Sequence, residues 1–382
     1  MLIKTVRFSI FVLLAASITA CSKPYQQPEI DSTGYKGILS TLNETEEKRI
    51  RVLMTHGMCS AGKDKKWAME QATLLSDQFG GGKLVARGQK DFGSDNDNSV
   101  VQRFDFTLFG TGKTIDLTFL AWGKTIDKHR KNLDFDSKRR RDDPNAPIRA
   151  SLNHHIRAGL MNDCLIDAIV YTGPNGDKIR ASMQEAVCDV LGGTTTGRPV
   201  SKRVGERTGC QLASRAYDPA PLSFISVSLG SKILFDAMLA LDDRQGGDAL
   251  STRLRSVRAI YMVSNQLPML GQAHIDPSRS NKTASTGDTL SQFLDLLGSD
   301  RSARAKPQRI DVVAFSDPND ILGYRLDKKR MLTKRNSVEY VITNVLVSKG
   351  WTYFGAFENP IVAHEGQKNG EPIYPLIVHG LR

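Results

Sequence analysis

The chain has 382 residues, 40% of them hydrophobic and 24% charged, with a formal net charge of +11. That length allows one large α/β domain or two ordinary ones, and the composition excludes a largely disordered chain. The basic balance suits an anionic surface. No nucleic-acid recognition motif and no basic stripe interleaved with aromatics accompanies it, so nucleic acid is not an expected partner.

The first element is a leader. Lys4 and Arg7 precede the apolar run FSIFVLLAASITA, residues 8–20, which is too short to span a bilayer as a helix and has the layout of a secretory signal. It ends in Ile18-Thr19-Ala20-Cys21, which resembles the lipobox of bacterial lipoproteins. The resemblance implies cleavage before Cys21, acylation of that cysteine, and a lipid-anchored place in the bacterial cell envelope on the periplasmic side. The non-acidic Ser22 points to the outer membrane. Residues 21–46 are then read as the lipidated cysteine and a polar tether with Pro24, Pro28 and Gly34, whose r.m.s. reach is roughly 28 Å if it is flexible. One domain is expected over 47–382, with insertions near 124–149 and 192–220.

That domain opens on a short buried strand, Ile50 to Met54, with a helix over about 64–79. RFDFTLF (103–109) and TIDLTFLAW (114–122) alternate or run apolar around Gly110 and Gly112, predicting a hairpin. The stretch 124–147 carries Lys138-Arg139-Arg140-Arg141 and is read as a solvated surface loop, with contact to anionic lipid as the sharper alternative. Helices are predicted over 150–171 and 177–191, and 192–220 has no periodicity. From 222 the pattern is regular: strand LSFISV, helix 230–242, strand 257–263, helix 289–298, strands 309–315 and 338–347. Strands alternating with helices predict a largely parallel sheet covered on both faces.

Export would permit disulfides among Cys59, Cys164, Cys188 and Cys210, and four cysteines allow three pairings. A Cys188–Cys210 bridge would close the irregular insertion, leaving Cys59–Cys164 as the second pair. There is no CxxC pair and no zinc-spaced Cys/His set, so neither a metal nor another cofactor is expected.

Parallel sheets carry chemistry at the carboxyl ends of their strands. One residue past LSFISV stands Ser228, in Ser226-Val227-Ser228-Leu229-Gly230, with a helix immediately after. A nucleophile elbow needs small residues two before and two after the serine; Gly230 meets this, and Ser226 stands where glycine is usual. A serine hydroxyl needs a base to take its proton and an acid to orient that base. Asp317 and Asp320 follow the strand at 309–315, and His364 follows the last long strand in ENPIVAHEG, a Pro- and Gly-flanked loop. Asp320 is favoured over Asp317, which precedes Pro318 and suits a turn cap. His379 lies in the apolar run YPLIVHGL and is read as a core residue.

The order Ser228, Asp320, His364, together with the early turn Thr55-His56-Gly57-Met58, resembles the α/β-hydrolase family. The resemblance covers roughly residues 48–382. It implies an α/β-hydrolase fold, a serine hydrolase of esterase or lipase type acting on a carboxylic ester, and an oxyanion site made by the Met58 and Leu229 backbone N–H groups. The departure at Ser226 leaves open a non-catalytic binding or scaffold protein on the same fold.

Overall fold

The computed structural model describes residues 21–59, 65–93, 99–136, 147–195, 210–212, 218–245, 249–274, 289–299, 308–365 and 372–381. In chain order the strands are β1 (Cys21–Ser22), β2 (Glu29–Ile30), β3 (Tyr35–Lys36), β4 (Arg49–Thr55), β5 (Gly82–Phe92), β6 (Ser99–Leu108), β7 (Thr114–Ala121) and β8 (Thr194–Thr195). They continue as β9 (Cys210–Gln211), β10 (Leu222–Val227), β11 (Val257–Val263), β12 (Gln308–Ser316), β13 (Lys334–Arg335), β14 (Val338–Leu346), β15 (Thr352–Tyr353) and β16 (Gly380–Leu381).

The central sheet has the order β13-β14-β12-β11-β10-β4-β7-β6-β5, with β2 added to β14. The five pairings from β14 across to β7 are parallel, and the outer ones are antiparallel. The protein is therefore α/β, with a mixed, mostly parallel sheet. β10 and β11 read as unbroken apolar runs because both their faces are covered. Phe224, Ile260 and Met262 pack in one core with Ile233 of the helix Leu229–Gln245 and Phe293 of the helix Thr289–Gly298. Ile225, Tyr261 and Val263 pack on the other face with Ile38, Trp67 and Ile377, from the helices Ile38–Glu44, Lys65–Phe79 and Ile373–His379.

Residues 21–46 correct the expectation of a tether. β2 pairs with β14 and β3 with β16, and Tyr35, Ile38 and Leu42 are buried. Asp31 accepts hydrogen bonds from the backbone and side-chain amides of Asn344 (2.8 and 2.9 Å), and Tyr25 and Ser348 exchange hydrogen bonds. The segment is held because it buries three large apolar side chains and covers the end of a strand edge that would otherwise be open.

Three further expectations change. His379 is exposed, since Ile373, Tyr374, Ile377 and Val378 take the inward positions of its helix and residue 379 falls off that face. His364 lies on a six-residue helix, Pro360–Glu365, not in a loop. Both disulfides form as expected, Cys188–Cys210 and Cys59–Cys164, the first closing the β8–β9 pair. Near 124–149 the chain is not simply a surface loop. A helix, Lys124–Lys131, buries Ile126 and Arg130, while Lys138 to Arg141 lie outside the described residues.

Candidate active site

The sheet changes its direction of growth between β4 and β10: after β4 the chain goes to the far edge at β5 and returns inward through β6 to β7, then crosses to β10 on the other side of β4 and builds outward through β11, β12 and β14. Such a switch point leaves a crevice at the carboxyl ends of the two strands. Ser226 of β10 is in register with Thr55 of β4, so Ser228 and the turn His56-Gly57-Met58 meet there.

Ser228 occupies the left-handed region, with φ +52°. A non-glycine residue rarely does, and here the neighbours impose it. The Ser228 N–H is held by the Val263 carbonyl of β11 at 2.7 Å, and the helix Leu229–Gln245 begins at the next residue. Gly230 has no alternative, because a Cβ there would sit 2.2 Å from the His56 carbonyl oxygen. Gly57 is equally constrained: its Cβ would lie 2.6 Å from that of Ser228. Ser226 is tolerated where glycine is usual because its buried hydroxyl pairs with that of Ser231 at 2.8 Å, tying the strand end to the first helical turn.

The structure brings Ser228, His364 and Asp320 together. Ser228 Oγ lies 2.9 Å from His364 Nε2, and His364 Nδ1 lies 2.8 and 3.0 Å from the two Asp320 oxygens. All three are buried. A carboxylate only accepts, so Nδ1 carries the proton and Nε2 is left to accept from the serine hydroxyl. Burial alone would push the Asp320 carboxyl up. The hydrogen bond and charge of His364, the charge of Lys349 and the Leu322 N–H outweigh it and hold the group below the usual carboxylate range. Asp317 does not reach the histidine. Its oxygens accept from the Asn319 and Lys349 backbone amides, at 2.9 and 2.6 Å, so it shapes the turn between β12 and the acid.

The turn after β4 is braced by side chains. Trp122 donates its backbone N–H to His56 Nε2 and its indole N–H to the His56 carbonyl, both at 3.0 Å, and the two rings stack. Nε2 is thereby an acceptor, so Nδ1–H donates to the Gly57 carbonyl at 2.8 Å. In a trans peptide the N–H points opposite to the C=O, so holding the Gly57 carbonyl fixes the direction of the Met58 N–H. On the far side of Met58, the Cys59 N–H donates to Asp167 Oδ2 (3.1 Å) and the Cys59 sulfur is bonded to Cys164. Asp167, fully buried, takes a two-pronged ion pair from Arg130 (2.6 and 2.7 Å). Breaking such a pair from one side typically costs about 3–5 kcal/mol. Among the described residues, the Met58 and Leu229 amides donate to no protein acceptor.

Two residues of this region escaped sequence reasoning. Lys349 is fully buried, and its ammonium donates to the Ala363 and His364 carbonyls (2.8 and 3.2 Å) and to the Ser264 hydroxyl. Burial pushes its pKa down, against the opposing pull of Asp320, Asp317 and Glu358. Ser264, one residue past β11, also donates to the His364 carbonyl at 3.0 Å. A lysine after a strand normally reads as a solvated surface group, and nothing in its neighbours along the chain distinguishes this one.

Taken as chemistry, the site offers a hydroxyl with a proton acceptor in hydrogen-bonding range, a buried carboxylate to stabilise the resulting imidazolium, and two converging backbone turns. No protein-family model, no curated protein and no solved structure matches the chain.

Proposed function

We propose that this protein is a serine hydrolase of the α/β-hydrolase type that cleaves a carboxylic ester through an acyl-enzyme, anchored by lipid on Cys21 to the periplasmic side of the bacterial envelope. One observation carries the chemistry: Ser228 Oγ sits 2.9 Å from His364 Nε2 while Asp320 holds the opposite ring nitrogen. Supporting it are the left-handed φ of Ser228 and the order Ser228, Asp320, His364 along the chain.

In this reading Ser228 Oγ attacks the ester carbonyl as its proton passes to His364 Nε2. Asp320 keeps the imidazole in the required tautomer and stabilises its charge. The tetrahedral oxyanion takes hydrogen bonds from the Met58 and Leu229 N–H groups, where loss of one donor typically lowers the rate about 10²–10³-fold. Collapse expels the alcohol, which takes the proton from His364, and water attacks the acyl-enzyme by the same route in reverse. Because His56 fixes the Gly57 carbonyl, the Met58 donor is oriented before substrate arrives. That preorganisation is what makes such a donor effective.

The test is turnover of a panel of soluble and lipid esters by wild type and Ser228→Ala. Activity abolished in a folded Ser228→Ala protein is the expected result. Undiminished activity in that variant, or none in wild type on any ester, would remove the hydrolase reading and leave a binding or scaffold role.

A further inference from the structure

We infer that the short hairpin around Phe354 is a membrane-inserting finger that seats the rim of the active site on a phospholipid bilayer. The inference builds on the proposed acylation of Cys21 but not on the hydrolase chemistry.

The hairpin leaves β15 and returns at once. The Tyr353 N–H donates to the Phe357 carbonyl at 2.7 Å and the Ala356 N–H to the Tyr353 carbonyl at 3.0 Å. Its tip is Phe354, at φ +54° and 77% exposed, followed by Gly355 at φ +66°. A bulky aromatic held in the left-handed region and turned into water gains nothing from the fold that carries it. Trp351, Tyr353 and Phe357 around it are exposed as well, and so are Ile321, next to the acid, and Val362, two residues before the base. Four exposed aromatic side chains within seven residues of one hairpin mark a binding face.

Its occupant is indicated by where the leader joins. β1 pairs antiparallel with β15, placing Cys21 directly opposite Tyr353. Cys21 is exposed and is the residue to which the apolar run 8–20 connects, and which the lipobox resemblance marks for acylation. Acyl chains on Cys21 would therefore enter the bilayer beside the aromatic tip. With residues 21–46 docked on the domain, no slack separates anchor from hairpin. Lys23 lies over the Trp351 ring, 5.4 Å from its centroid, giving the aromatic group a cationic neighbour suited to anionic headgroups. The finger is also coupled to the site: Asn319, beside Asp320, donates to Glu358 at 2.7 Å and to Thr352 at 3.2 Å, joining the acid loop to both arms of the hairpin. Combined with the separate hydrolase proposal, this placement would make esters already in the membrane the accessible substrates.

Trp351 supplies the readout, since it is 53% exposed while the other two tryptophans, Trp67 and Trp122, are buried. The processed full chain is placed in phosphatidylethanolamine/phosphatidylglycerol vesicles with and without brominated acyl chains, using Trp351→Phe for background. Emission from Trp351 should shift to the blue and be quenched by bromine, and Phe354→Asp should lose most of the quenching. Added to vesicles as an unacylated Cys21→Ala chain, the protein should partition about tenfold more weakly once Phe354→Asp is introduced, as expected for losing one buried aromatic contact. Turnover of a water-soluble ester should be unchanged by Phe354→Asp, which separates this idea from the fate of the hydrolase reading. Should Cys21→Ala partition as wild type does, the anchor is absent, and the Phe354 comparison still decides the finger. Trp351 fully open to aqueous quencher on vesicle-bound protein, partition indifferent to Phe354→Asp, or self-association in place of vesicle binding would each overturn it.

Discussion

Two serines, Ser228 and Ser264, occupy the same local position on neighbouring parallel strands. Each stands one residue past its strand, β10 or β11, each has a left-handed φ (+52° and +51°), and each is buried. They approach one histidine from opposite ends. Ser228 meets the ring nitrogen of His364, whereas Ser264 donates to the His364 backbone carbonyl and is itself held by Lys349. A strained corner at the carboxyl end of a strand does not by itself distinguish the two. What the hydroxyl faces decides its role: a proton acceptor in one case, an acceptor already committed to a lysine in the other.

The contrast is sharpest when each hydroxyl is removed. Ser228→Ala should lower ester turnover by about 10⁴-fold or more without loss of folding. Ser264→Ala should keep the reaction within about tenfold of wild type while costing about 1–3 kcal/mol in a denaturant melt, because it leaves buried partners unpaired. Comparable rate losses in the two variants would erase the distinction.

The same logic separates the two late histidines. His364→Ala should cut kcat by about 10³-fold or more. His379→Ala, at an exposed helix end, should leave both rate and melting midpoint nearly unchanged, within about 0.5 kcal/mol.

Lys349→Met should lower kcat about 10–100-fold with little change in KM, since it removes the cation that holds the helix carrying His364. It should also raise the pH at which Asp320 titrates, followed by the NMR shift of its carboxyl carbon. The Lys349 charge helps keep the Asp320 carboxyl low, so removing it raises that pKa. Stability carries a matching signature. Asp320 has a folded pKa below its ordinary 3.8, so its contribution is complete above that value and is lost as pH falls through the folded one. Acid melts of Asp320→Asn should lack that component. An Asp320 titration that does not move in Lys349→Met would show that the lysine supports the backbone only.

Among the residues packed around the site, the smallest effect is expected at the departure from the elbow pattern. Ser226→Gly removes the hydroxyl pair with Ser231 and should cost about 1 kcal/mol, with turnover within a few-fold of wild type.

How much of this could be read from the chain follows from burial. β10, β11 and the helix Thr289–Gly298 end where the apolar pattern ends, because strands covered on both faces show their limits as composition. Ser228 and Asp320 could be picked out by their position after such strands. β5 was not legible: most of GKLVARGQKDF is exposed, and a polar edge strand reads as a loop. The docked segment 21–46 is hidden for a related reason, since three buried side chains, Tyr35, Ile38 and Leu42, are too few to stand out in a polar stretch. Six residues of helix around His364 are too short to announce themselves. The role of Lys349 depends on contacts with residues 14 and 15 positions later and 85 positions earlier, which no local pattern encodes.

On the proposed mechanism the Ser228 hydroxyl is activated and the Ser264 hydroxyl is not. A fluorophosphonate probe, with the modified peptide mapped by mass spectrometry, reads this directly. Stoichiometric phosphonylation of Ser228, none at Ser264, and labelling slowed by orders of magnitude in His364→Ala are the expected results. An unlabelled Ser228 in folded wild-type protein, or equal labelling with and without His364, would contradict it.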